Sequence, residues 1–106
     1  MTRYGFLGPE GTFCEMALRQ WAASHEGDHH PFGSVGAALR ALREGRIDAA
    51  MVPIENSVEG GVSATLDALS VGEQLHIIGE VLVPITFVLA ARPGMPLSRV
   101  RAVGTH

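Results

Sequence analysis

The sequence predicts an α/β fold, a parallel-rich sheet with helices on both faces. Short apolar runs alternate with segments of helical periodicity, and polar, glycine-containing loops lead from strand to capped helix. β-Branched residues then gather over 75–91, which extends the strand content. Residues 3–7 read as a buried strand closed by Gly8-Pro9-Glu10-Gly11. Thr12 and Glu15 have the T-x-x-E spacing of a capping box, in which each side chain satisfies a backbone donor near the other residue. Phe13, Ala17 and Trp21, flanked by Leu18 and Ala22, form the apolar face of a helix expected to fade near Ser24. Residues 25–33 are polar, with a loop and a very short strand expected around Phe32. Ser34 is placed as the next N-cap. Val35, Ala38, Leu39 and Leu42 repeat at i, i+3, i+4, i+7, and Gly45 is placed to end that helix in a left-handed conformation. A strand is expected over 48–52, a loop over 54–61 and a third helix marked by Val62, Thr65, Leu66 and Leu69. Two strands divided near Pro84 should occupy 75–91, a turn 92–98, and a last strand should begin at 101–103.

Composition removes several function classes. The 106 residues, 46% hydrophobic, carry eight arginines, no lysine and eleven acids, for a net charge of −3. That length suits one small domain or one lobe of a larger one, and buries roughly 65% of the surface its unfolded form exposes. A mean hydropathy of +0.20 argues against disorder. The longest apolar stretch, 77–91, is broken by Gly79, Glu80 and Pro84, so no membrane span is expected. The first residues lack the apolar run of a signal peptide, so a soluble cytoplasmic protein is expected. Scattered arginines form no stripe for nucleic acid. Cys14 has no partner for an internal disulfide. The chain ends as its last strand begins, which suggests truncation.

Ligands of open parallel sheets bind at the carboxyl ends of the strands, where loops meet helix N-termini. Two loops qualify. In the first, Gly11 and Thr12 open a helix whose free amides favour an anion, although a tight turn with an ordinary cap accounts for the same residues. In the second, Glu55, Asn56 and Ser57 set an acid, an amide and a hydroxyl side by side after an apolar strand. Such a run suits a polar substrate or its own local side-chain bonds. His25, His29 and His30 lack a fixed ligand spacing and read as solvated surface rather than a metal site. Cys14 lies in a first helical turn, where the dipole lowers a thiol pKa, but has no local histidine to activate it, so it reads as packing or capping rather than a nucleophile. Thr105 and His106 could begin a functional loop.

YGFLGPEGTF at 4–13 and VPIENSVEGGVSATLDAL at 52–69 closely resemble prephenate dehydratases, as does GEVLVPITFVL at 79–89. GTH at 104–106 resembles the start of that family's Ser-His-Pro motif. The resemblance implies part of a two-lobed fold like that of type II periplasmic binding proteins, with substrate held between the lobes. The first lobe would run to about residue 83, with the crossover and the start of the second lobe over 84–106. The second half and an ACT regulatory domain would lie outside the chain. The implied reaction turns prephenate into phenylpyruvate, water and carbon dioxide on the way to phenylalanine, with no metal or organic cofactor.

Substrate contacts implied on this chain are Gly11, Thr12, Glu55, Asn56, Ser57, Thr105 and His106. Glu55 could act as an acid only if it carried its proton beside a dianionic substrate. The family's Thr-Arg-Phe motif, whose threonine is the usual catalytic candidate, is not in this sequence. Cys14 and Met16 stand where small residues are common. A homo-oligomer is implied, with phenylalanine regulating the full-length protein through the absent domain. The alternatives are a non-catalytic module of the same architecture that binds a small carboxylate, or a chaperone-like domain that binds protein through an apolar patch.

Overall fold

A computed structural model describes residues 1–56 and 60–105. Strand β1 (Thr2–Leu7) lies between β2 (Gly27–Phe32) and β3 (Ala49–Met51) in a three-stranded parallel sheet of order β2-β1-β3. The register runs from Thr2 opposite Gly27 to Leu7 opposite Phe32, and from Tyr4 opposite Ala49 to Phe6 opposite Met51. Tyr4, Gly5 and Phe6 are buried in succession, as a strand covered on both faces requires. Helix α1 (Phe13–Ala22) carries the chain from β1 to β2, and α2 (Val35–Arg43) carries it back past β1 to β3. The two crossovers run in opposite directions across the sheet, so right-handed connections put their helices on opposite faces.

Each face has its own packing. Tyr4, Phe6 and Leu18 form one core, with Cys14, Trp21, Ala49 and Met51 against it. On the other face Gly5 presents no side chain, and Ile47 and Phe32 close into the space. Helix α2 buries Val35, Ala38, Leu39 and Ala41.

The helix ends follow the sequence closely. Thr12 Oγ1 accepts from the Glu15 amide at 3.3 Å, and Glu15 Oε1 accepts from the Gly11 amide at 2.9 Å. Ser34 Oγ accepts from the Ala37 amide at 3.0 Å. Gly45 has φ 75°, its amide donates to Leu42 O, and the Arg46 amide donates to Ala41 O, which together make a Schellman ending.

Four expectations are corrected. The strand expected only around Phe32 spans six residues, because backbone pairing with β1 outweighs the polar side chains of Gly27–Phe32. Pro31 is tolerated there because β2 is an edge strand. The loop expected over 54–61 contains a short antiparallel ladder, β4 (Glu55–Asn56) against β5 (Gly60–Gly61), with the Val62 amide donating to Ile54 O. It leads into α3 (Ser63–Ser70). Residues 75–91 form no strand, and neither do 101–103. β-Branched residues favour strands only against a neighbouring edge, and no described residue pairs with these. The turn over 92–98 is present, followed by a single 3₁₀ turn, Leu97–Arg99.

Candidate functional site

The register decides where the two predicted loops go. β1 and β3 are parallel neighbours with Phe6 opposite Met51, so the chain leaves both toward the same rim of the sheet. One exit leads to residues 8–12 and the other to 53–56. Thr12 and Asn56 therefore belong to loops that rise from adjacent strands at the carboxyl end, where ligands of such sheets bind.

In the first loop the Gly8-Pro9 peptide is cis, and Gly11 has φ 87° with open space around it. The Gly8 amide donates to Phe32 O at 2.8 Å, which ties the loop to the end of β2. Thr12 is half-buried, and its hydroxyl donates to Leu7 O at 3.1 Å while accepting from Glu15. These contacts revise the chemistry expected of the helix start. The Gly11 amide is already engaged by a carboxylate, and the Thr12 hydroxyl is engaged twice. Among the described residues, nothing accepts from the main-chain amides of Thr12, Phe13 and Cys14, which are the donors an anion would find here. Arg19 lies 3.5 Å from Glu15 and offsets part of its charge.

Cys14 packs as expected, but its pKa departs from the sequence expectation. It is half-buried against the Tyr4–Phe6–Leu18 core, and burial pushes its thiol pKa up, opposite to the lowering expected from the helix dipole. A raised pKa keeps the sulfur protonated and fits a packing role.

In the second loop Glu55 and Asn56 are exposed, with backbones opposite Gly61 and Gly60. Thr105 is exposed in a segment without regular structure. Ser57 and His106 lie outside the described residues. The structure thus brings Gly11, Thr12, Glu55 and Asn56 to one rim.

An open depression of ≈ 580 Å³ adjoins the first loop, lined by Gly8, Pro9, Glu10, Pro31, Phe32 and Gly33. The sequence marks this stretch only through the short strand expected around Phe32. Two histidines have aromatic partners. His25 stacks on Trp21 with centroids 4.8 Å apart, and His29 meets the Tyr4 ring edge-on at 5.8 Å. Among the described residues no group of three His, Cys, Asp or Glu side chains is arranged to hold a metal. No helix among them is long and apolar enough to cross a membrane.

At the opposite end of the sheet, Arg3 clamps Asp48. The Arg3 amide and Nε donate to Asp48 Oδ2 at 2.8 and 3.1 Å, and Nη2 donates to Oδ1 at 3.0 Å. The Asp48 amide donates back to Arg3 O at 2.7 Å, which fixes where β3 begins beside β1. The Arg3 side-chain and backbone donors hold the Asp48 carboxyl at a pKa of about 2, below its usual range.

A parallel α/β sheet with two helix-feeding loops at one carboxyl rim defines a class of proteins that take small ligands at that rim. Within this class, the chain belongs to the prephenate dehydratase family, whose model matches residues 4–106. A prephenate dehydratase of Amycolatopsis methanolica is 44% identical over 107 residues, covering 100% of this chain and 34% of that protein. One from Mycobacterium avium strain 104 is 40% identical over 111 residues, covering 97% and 35%. The crystal structure of prephenate dehydratase from Arthrobacter aurescens, in complex with L-Phe, is 60% identical with a TM-score of 0.76, covering 90% of this chain and 31% of that one. The fold is accordingly periplasmic-binding-protein-like. The chain spans about a third of the length of these relatives.

Proposed function

We propose that this chain is the N-terminal portion of a prephenate dehydratase catalytic unit, with a first lobe to about residue 83 and the crossover and start of a second lobe over 84–106. The family match over residues 4–106 carries this reading, and the arrival of both loops at one rim supports it. The complete protein converts prephenate into phenylpyruvate, water and carbon dioxide. Loss of the ring carboxylate as carbon dioxide pushes an electron pair through the diene, and the ring hydroxyl departs as water once protonated. Aromatisation drives the reaction. The protein must hold two carboxylates, place a proton donor at the hydroxyl and keep water from the ring.

The first loop supplies carboxylate recognition, with Gly11 shaping the bend and Thr12 contributing its main-chain amide. Asn56 and Ser57 hydrogen-bond the substrate, and Thr105 and His106 extend the site where the second lobe begins. Glu55 is the one acid of the second bend's Glu55-Asn56-Ser57 run; full activity in Glu55→Gln would remove it as proton donor. In this reading the donor lies in sequence beyond this chain. The Arthrobacter relative was solved with L-Phe, which supports phenylalanine as a regulator acting through a domain outside residues 1–106. A cytoplasmic homo-oligomer completes the proposal.

The test is phenylpyruvate formation from prephenate. The complete protein should turn over, and the 106-residue chain alone should give little or none. Asn56→Ala in the complete protein should lower kcat/KM at least tenfold, about the effect of one lost substrate hydrogen bond of 1.4 kcal/mol. Unchanged catalytic efficiency would remove Asn56 from the site, and robust turnover by the short chain would overturn the two-lobe reading.

A further inference from the structure

We propose that Arg43 is a positioning residue that sets the substrate-binding residues Glu55 and Asn56 by fixing the far end of α3; this rests on the dehydratase reading above. Arg43 ends α2, and its guanidinium bridges two main-chain acceptors of the next helical unit. Nη2 donates to Ala68 O at 2.9 Å, inside the last turn of α3, and Nε donates to Glu73 O at 3.0 Å, just beyond it. Between those acceptors Gly72 turns with φ 76°, and a Cβ there would stand 3.3 Å from Arg43 Nε and 3.4 Å from Cζ. The planar fork therefore closes the C-terminus of α3 from outside, on one carbonyl of its last turn, which the helix leaves unpaired, and one just beyond it.

α3 also packs along α2, but among the described residues few directional bonds fix it there. Its N-cap, Val62, makes no side-chain bond, and its one fully buried residue is Thr65. Among the described residues the Thr65 hydroxyl has no hydrogen-bond partner, and Leu66 is 48% exposed. Apolar burial is non-directional, so two charge-assisted bonds decide how α3 lies against α2. At its other end α3 runs straight from β5, and the Val62 amide holds Ile54 O at the start of the bend. Eight residues make a rod of about 12 Å, so releasing the Arg43 end tilts the end joined to β5, against which Glu55 and Asn56 pair.

The test compares Arg43→Gln, Arg43→Lys and Gly72→Ala in the complete protein. Lysine keeps the charge but lacks the fork, and Gly72→Ala crowds the guanidinium while leaving Arg43 in place. All three should raise KM for prephenate about five- to tenfold with kcat within about twofold, because the bend binds substrate and does not carry the proton. Amide hydrogen exchange over 63–70 should speed up about tenfold or more, with residues 4–6 of β1 unchanged. KM within twofold of wild type, full recovery by lysine, or faster exchange spread equally over β1 would each overturn the proposal. If the unmutated protein does not consume prephenate, the functional reading fails by itself. Exchange over 63–70 then still decides whether Arg43 fixes α3.

Discussion

Gly5→Ala puts a methyl group at the centre of the sheet, on the face that α2 covers. The new Cβ would stand 2.6 Å from Ile47 Cδ1, 2.7 Å from Phe32 Cε2 and 3.1 Å from Phe32 Cδ2. Carbon atoms pack best at about 3.5–4.0 Å, so two side chains must each retreat by roughly 1 Å. Phe32 is half-buried and Ile47 buried, and overpacking of such a site costs about 1–3 kcal/mol. Alanine recovers about 0.5–1 kcal/mol by restricting the unfolded chain. The net loss should be about 0.5–2 kcal/mol, or roughly a 2- to 30-fold fall in the folding constant.

Gly33→Ala is the matched control. A Cβ at Gly33 meets nothing within 4 Å, and Gly33 is not among the glycines with positive φ. That variant should be neutral or more stable by about 0.4–1 kcal/mol. Urea unfolding followed by far-UV circular dichroism and by the emission of Trp21, the only tryptophan, measures both. A Gly5→Ala protein as stable as Gly33→Ala would refute the packing described for that face.

Thr12→Ala should lose about 1–2 kcal/mol in the same unfolding assay, because the cap to Glu15 and the bond to Leu7 O disappear together. Thr12→Ser, which keeps the hydroxyl, should stay near wild type; equal losses in both would point to the methyl group instead. The Asp48 carboxyl has a folded pKa of about 2, below its ordinary value near 3.8, so its contribution is complete above pH ~4 and declines as pH falls toward 2. Asp48→Asn should flatten that part of the stability-versus-pH curve, and an unchanged slope would show that other carboxyls set it. Thr65→Val removes a buried hydroxyl that has no partner among the described residues and should be neutral or stabilising by up to about 1 kcal/mol. A clear loss of denaturation midpoint would show that the hydroxyl is bonded in solution.

Features that depend on near neighbours in the chain were legible from residue types. The Thr12–Glu15 and Ser34–Ala37 caps, the Gly45 ending and the apolar faces of α1 and α2 each need only a few adjacent residues and a helical period. β2 was under-read because Gly27-Asp28-His29-His30-Pro31 has no apolar alternation, and it becomes a strand only through hydrogen bonds to β1. Residues 75–91 were over-read for the converse reason. Their composition suits strands, yet Ile77, Leu82 and Phe87 are 73, 90 and 78% exposed, and no described edge pairs with them. At the site, both loops were legible from their glycines, caps and polar runs. The capping box also anticipated that Glu15 would engage a backbone donor near Thr12, which proves to be the Gly11 amide, whereas the rise of the Cys14 pKa was not legible, because it depends on how deeply the side chain comes to be buried.

Residue order alone settled the helix boundaries at their caps, the alternating α/β class and family membership, since these rest on local periodicity and on motifs that survive as strings. Tertiary structure decided the β2-β1-β3 order, the meeting of the 8–12 and 53–56 loops at one rim, and the hold of Arg43 on α3. Those outcomes join residues 25 to 45 positions apart. Backbone pairing and charge geometry between distant segments set them, and no local pattern in the chain encodes which segments will meet.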